Sequence, residues 1–111
     1  MPLKEQPNVL PLEGEIDLHV SPEVAESLRT MITKKQKVIV VDLSKVTYMD
    51  SSGLAMLIEG MQKVQEYGGK FALAGAQESV QHIFEIARLD QVFQIFPTVD
   101  EALAATQIPD R

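Results

Sequence analysis

Asp50-Ser51-Ser52-Gly53 sets a carboxylate, two hydroxyls and a glycine in four consecutive positions. The apolar run Val38 to Val41 precedes it, and a helical pattern begins at Leu54. A serine at such a strand-to-helix corner can do three things. It can cap the helix, by accepting a hydrogen bond from a backbone N–H of the first turn. It can act as a nucleophile, if a neighbouring base takes its proton. It can also accept a phosphate from a kinase, which adds about 1.5 to 2 negative charges at neutral pH. Unpaired N–H groups and a partial positive charge at the helix start favour such an anion by about 0.3–1 kcal/mol. Asp50 repels the same anion to a similar degree. The two effects offset, so the fold is expected to survive phosphorylation nearly unchanged.

Catalysis asks for more than this corner supplies. The Gly-x-Ser-x-Gly elbow is missing. The chain has two histidines. His19 is expected in an exposed loop and His82 on the outer face of a helix, so neither is placed by sequence to activate Ser51. There is no phosphate loop, paired metal-ligand motif or dinucleotide fingerprint. Asp50 at a strand end could suggest a phospho-accepting aspartate, but the acidic pair that would bind magnesium beside it is missing. The expectation is therefore no catalytic residue, no metal and no cofactor.

The elements that must position the corner alternate. Asn8 to Leu12 fits a short strand, and Pro11, which cannot donate to a ladder, suggests an edge position or an irregular strand. Glu13 to Asp17 is expected to turn away. Ser21-Pro22 reads as a helix start, with Ser21 as N-cap and Pro22 at the first helical position. Val24, Leu28, Met31 and Ile32 follow at helical spacing, and Lys34, Lys35 and Lys37 suit the negative end of that helix. Val38 to Val41 is apolar on both faces, as in a parallel sheet covered by helices.

The next helix carries a stripe of Leu54, Leu57, Ile58, Met61 and Val64 and stops at Gly68-Gly69. Phe71 to Ala74 is a second buried strand. Val80, Ile83, Phe84 and Ala87 mark a third helix, and Val92 to Phe96 another strand. Thr98 to Glu101 is a capping box that opens a last helix with Ala102, Leu103 and Ala105. Strands alternating with helices give an α/β sheet with right-handed crossovers.

The chain has 111 residues, the size of one domain. It has no cysteine, which excludes a disulfide framework and a thiolate metal site and fits a reducing compartment. Residues 1 to 8 are polar, contain Pro2 and Pro7, and show no signal-peptide pattern. No apolar run approaches the roughly 20 residues that span a bilayer. A cytoplasmic protein without membrane insertion is expected. The net charge of -6 argues against nucleic acid, which needs a basic stripe, and favours a basic protein partner.

Gly14-Glu15-Ile16-Asp17, the run Val40 to Leu54 and Tyr67-Gly68-Gly69-Lys70 together resemble a STAS domain, nearest to the bacterial anti-sigma factor antagonists. The resemblance runs from about Val9 to about Ala105 and implies a single α/β STAS domain over residues 1–111. It further implies a mixed sheet with about four helices packed against it. Eight residues precede Val9, so the N-terminal strand pair of the family is expected to be shortened.

The resemblance also implies a role. Ser51, the first serine after the aspartate, would be phosphorylated by an anti-sigma factor that is itself a serine kinase, and a serine phosphatase would reverse this. The unphosphorylated form would bind the anti-sigma factor and free the sigma factor. Asp50, Ser52 and Gly53 would form the phosphosite environment, with Ser52 as the helix cap. Gly53 would be the bare position where the kinase's nucleotide can approach. Asp17 would meet a basic residue of the kinase, with Glu15 on the same surface.

Leu54, Met56 and Gly60 complete the expected partner surface. Met56 lies nearly opposite the apolar stripe of its helix, between the small residues Ala55 and Gly60. It is read as an exposed, adaptable contact one turn from Ser51. Two other functions fit the same residues. One is a STAS scaffold subunit that carries no phosphate, in a lipid-transport or stressosome-like complex, where the corner serines only cap a helix. The other is a small serine hydrolase with Ser51 as nucleophile.

Overall fold

The computed structural model describes residues 8–106. The sequence readings on residues 1–7, no signal peptide and a shortened N-terminal strand pair, fall outside the described residues. The elements are β1 (Val9–Ile16), α1 (Ser21–Thr33), β2 (Val38–Met49), α2 (Ser51–Glu66), β3 (Lys70–Ala74), α3 (Glu78–Ile86), β4 (Gln94–Phe96) and α4 (Val99–Thr106).

The strands lie in the order β1-β2-β3-β4, and each neighbouring pair is parallel. When successive strands add in one direction through right-handed crossovers, every crossover helix falls on the same face. α1, α2 and α3 obey this. Val24, Leu28, Leu57, Val64, Val80 and Phe84 form one cluster with Ile39, Val41, Leu43 and Leu73. α4 follows the last strand, is not a crossover, and covers the opposite face. There Ala102 joins Val38, Val40, Ala72 and Ala74. The α/β class and the four helices agree with the sequence reading. The expected mixed sheet does not appear among the described residues, because a helix separates each strand from the next and no hairpin forms.

β2 is longer than its apolar start suggested. Its pairing with β3 ends at Asp42, and from Lys45 to Met49 it pairs with β1. β1 also runs further than expected. Glu13 to Ile16 continues the strand, with register shifts at Pro11/Glu13 and Gly14/Glu15. Gly14, at φ 78°, supplies the left-handed residue such a bulge needs. The turn starts only at Asp17. β1 is an edge strand among the described residues, and this is where Pro11 is tolerated.

The buried arc of α2 corrects the sequence reading most. It runs through Gly53, Met56, Leu57, Gly60, Met61 and Val64. Successive members lie three, one, three, one and three positions apart, the regular stripe of a helix that touches a sheet and a second helix at once. Leu54 and Ile58, expected at its centre, are half-buried at its edge. Met56 is 8% exposed and belongs to the core cluster. A Cβ on Gly60 would stand 2.4 Å from Leu28 Cδ2, so the bare backbone there lets α1 approach closely. Met56 and Gly60 are thus the seam between α1 and α2, not an open patch. Glycine has no side chain to score as apolar, and this hid Gly53 and Gly60, two of the six stripe residues.

Candidate functional site

The corner stands at the carboxyl ends of β1 and β2, where crevices of open parallel sheets collect function. Ile16 pairs with Met49, and the Asp50 N–H donates to the Ile16 carbonyl at 3.2 Å, so both strands deliver their loops side by side. Asp50 is extended and is the N-cap of α2. Its Oδ1 accepts the backbone N–H of Ser52 at 2.9 Å and of Gly53 at 3.2 Å. It also accepts the Ser52 hydroxyl at 2.6 Å. The cap is therefore Asp50 and not Ser52. A carboxylate is the stronger acceptor, and its charge suits the positive helix end.

The Ser52 hydroxyl does most to hold the Asp50 carboxyl below the ordinary 3.8. Partial desolvation opposes it, and the Gly53, Ser52 and Leu18 N–H groups add to the lowering. A group with a depressed folded pKa stabilises fully above its ordinary value, and that contribution disappears as pH falls through the folded value. Asp50→Asn keeps the cap geometry but removes the charge. The parent should melt higher than Asp50→Asn at neutral pH, and the gap should close below pH 3.8. Thermal melts from pH 7 to pH 2.5 check this. A gap that stays constant over that range would show that the charge of Asp50 does not act on the helix.

Ser51 opens α2 and is exposed. Among the described residues its hydroxyl makes no hydrogen bond within the chain. Of the first-turn N–H groups expected to favour a phosphate on Ser51, those of Ser52 and Gly53 are already taken by Asp50. A phosphate there would therefore project outward. Gly53 is buried. A Cβ on it would stand 2.7 Å from Met49 Cγ and 3.0 Å from the Ile16 carbonyl oxygen. Its bare backbone admits the strand ends below the helix.

Asp17 lies beside the corner, half-buried. Its Oδ1 accepts the N–H of His19 at 3.0 Å and of Val20 at 3.2 Å, a turn that launches α1. Ser21, expected to cap α1, does not. The N-cap is Val20 without a side-chain bond, and the Ser21 hydroxyl points instead to Ser52 Oγ at 3.3 Å. Glu15 is exposed on the adjoining strand end, opposite Tyr48. His19 is exposed, and His82 sits on the outer face of α3, 3.7 Å from Glu85.

Two residues absent from the sequence reading flank the corner. Leu18 is 69% exposed and Tyr48 47% exposed. Strand alternation held the signal for Tyr48. Met49 beside it is buried, so Tyr48 faces the other side, beyond where α4 covers β2. Among the described residues no cluster of His, Cys, Asp and Glu could hold a metal ion, and no helix is long and apolar enough to cross a membrane.

Residues 1–102 match the STAS domain. The anti-sigma-B factor antagonist of Listeria monocytogenes is 32% identical over 82 residues, which cover 74% of this chain and 72% of that protein. The crystal structure of an anti-sigma factor antagonist from Mycobacterium paratuberculosis aligns with a TM-score of 0.84 at 25% identity, covering 95% of this chain and 91% of the other. The Bacillus cell fate determinant SpoIIAA in its phosphorylated form shares the fold, with a TM-score of 0.69, 22% identity and 89% of each chain covered.

Proposed function

The chain belongs to the STAS domain family, and on that premise we propose that it is an anti-sigma factor antagonist that works in the cytoplasm by partner switching. The kinship to an anti-sigma-B factor antagonist supports the general role. The observation that carries the finer reading is Ser51, an exposed hydroxyl with no partner among the described residues, on a corner otherwise tied down by hydrogen bonds.

The partner is an anti-sigma factor serine kinase. The Ser51 oxygen attacks the γ-phosphorus of the ATP that the kinase binds. An O–P bond forms as the bond to the β,γ-bridging oxygen breaks, ADP leaves, and the hydroxyl proton passes to a base of the kinase. A serine phosphatase reverses this with water. The chain is the substrate and not the catalyst, and needs no cofactor of its own.

Unphosphorylated, the corner docks on the kinase. Asp17 and Glu15 meet basic residues there, and Leu54, Leu18 and Tyr48 supply apolar contact. Phosphate on Ser51 adds charge and bulk at the centre of this footprint and releases the partner. The helix stays formed, because its cap belongs to Asp50.

Incubation with the cognate kinase and ATP should add a single phosphate on Ser51. Protein purified from its own cells should show the same added mass, removed by phosphatase. Peptide mapping that places the phosphate on Ser44, Thr47 or Ser52 refutes the assignment. Protein that carries no phosphate and sits in a stoichiometric complex would favour the scaffold reading. Labelling of Ser51 by a serine-directed covalent probe would favour the hydrolase.

A further inference from the structure

Ser51 and Ser52 are consecutive and chemically identical, and both stand at the start of α2. A kinase acting at this corner has to distinguish them. The Ser52 hydroxyl donates to Asp50 Oδ1 at 2.6 Å, a short charge-assisted bond. From the first residue of α1, the Ser21 hydroxyl reaches Ser52 Oγ at 3.3 Å, a longer contact. Ser21 is 7% exposed and leaves its own helix uncapped. Its hydroxyl turns to the neighbouring helix instead.

We propose that Asp50 and Ser21 select which serine is phosphorylated, by engaging the Ser52 hydroxyl and leaving that of Ser51 free. The inference rests on the kinase-substrate reading above and adds how that site is regulated.

Phosphoryl transfer needs an oxygen free to line up with the γ-phosphorus. The Ser51 rotor is free to do so, whereas that of Ser52 is held by two partners. The bond to Asp50 does not activate Ser52, because a carboxyl with a lowered pKa is a poor base. A phosphate on Ser52 would lie against the Asp50 carboxylate. It would also disturb the cap bonds from the Ser52 and Gly53 N–H groups. A phosphate on Ser51 breaks no hydrogen bond within the described residues. Ser21 and Asp50 act through Ser52 and are positioning residues.

The test produces variants in the protein's own cells and maps phosphate by peptide mass. The parent should carry it on Ser51 alone. Ser51→Ala should carry almost none, although Ser52 remains. Adding Ser21→Ala to Ser51→Ala should raise phosphate on Ser52 by about threefold to tenfold, the effect of losing one hydrogen bond. Ser21→Thr in its place keeps a hydroxyl and should return the level to that of Ser51→Ala. Adding Asp50→Asn to Ser51→Ala keeps an acceptor but removes the charge that strengthens the bond to the Ser52 hydroxyl, so this should also raise phosphate on Ser52, and this arm carries the test if Ser21→Ala does not fold. Phosphate on Ser52 that is unchanged by both substitutions, or already strong in Ser51→Ala, overturns the selection while the Ser51 site stands. A parent that carries no phosphate overturns the kinase-substrate reading and this inference with it.

Discussion

Met56→Glu should destabilise the domain by about 3 kcal/mol or more, as a buried side chain is lost and a charge takes its place. Met56 touches the seam where α1 meets α2, in the same cluster as Leu28 and Leu57. It is also on the floor of a shallow groove lined by Leu28, Arg29, Ile32, Gly60 and Lys63. A glutamate there has two poor choices. It can stay buried and take up a proton, or push out through the groove and part the helices. Either one spends much of the stability of a domain this size, which is commonly about 5–15 kcal/mol. Leu57→Glu, at a position with 0% exposure against the sheet, should be worse and abolish folding. Urea melts of both variants beside the parent test this. A Met56→Glu protein that unfolds at the parental urea concentration would mean that α1 does not cover this face in solution.

Ser51→Asp should weaken binding to the proposed anti-sigma factor kinase by about tenfold to a hundredfold, because a charge at the proposed docking face must be desolvated without a partner, at roughly 1–3 kcal/mol. The same variant should melt within about 0.5 kcal/mol of the parent. Ser51 is exposed and the cap is held by Asp50, so the substitution removes neither packing nor a cap bond. Ser51→Ala should bind like the parent and accept no phosphate at that position. Calorimetric titration of the three proteins against the kinase, with thermal melts alongside, separates binding from folding. Equal affinity of Ser51→Asp and the parent would exclude charge as the switch. An unfolded Ser51→Asp would instead make Ser51 structural, against its exposure.

The Asp-Ser-Ser-Gly run, the order of elements and the fully apolar strand start were legible because they are local. A run of β-branched residues needs both faces covered wherever it lies. Strands alternating with amphipathic helices allow few topologies. The capping box at Thr98 was equally local, and Thr98 Oγ1 accepts the Glu101 N–H at 3.1 Å as its spacing implied.

What the tertiary structure decided is which neighbours each residue meets. The amphipathic pattern of α2 shows an apolar stripe but not how many surfaces that stripe must serve. Since α1 and α2 share one face of the sheet, Gly53 and Gly60 become contact points and Met56 becomes core. The two hydroxyls and the carboxylate of the corner compete for the same orphan N–H groups. Composition cannot rank them, but geometry gives the N–H groups to Asp50. Ser21 carried the sequence signature of a cap and spends its hydroxyl elsewhere, because the fold brings the start of α1 beside the start of α2. Sequence set the chemistry available at the corner. Packing decided that, among the described residues, Ser52 is held and Ser51 is not, because hydrogen-bond partners are assigned by proximity in space and not by order along the chain.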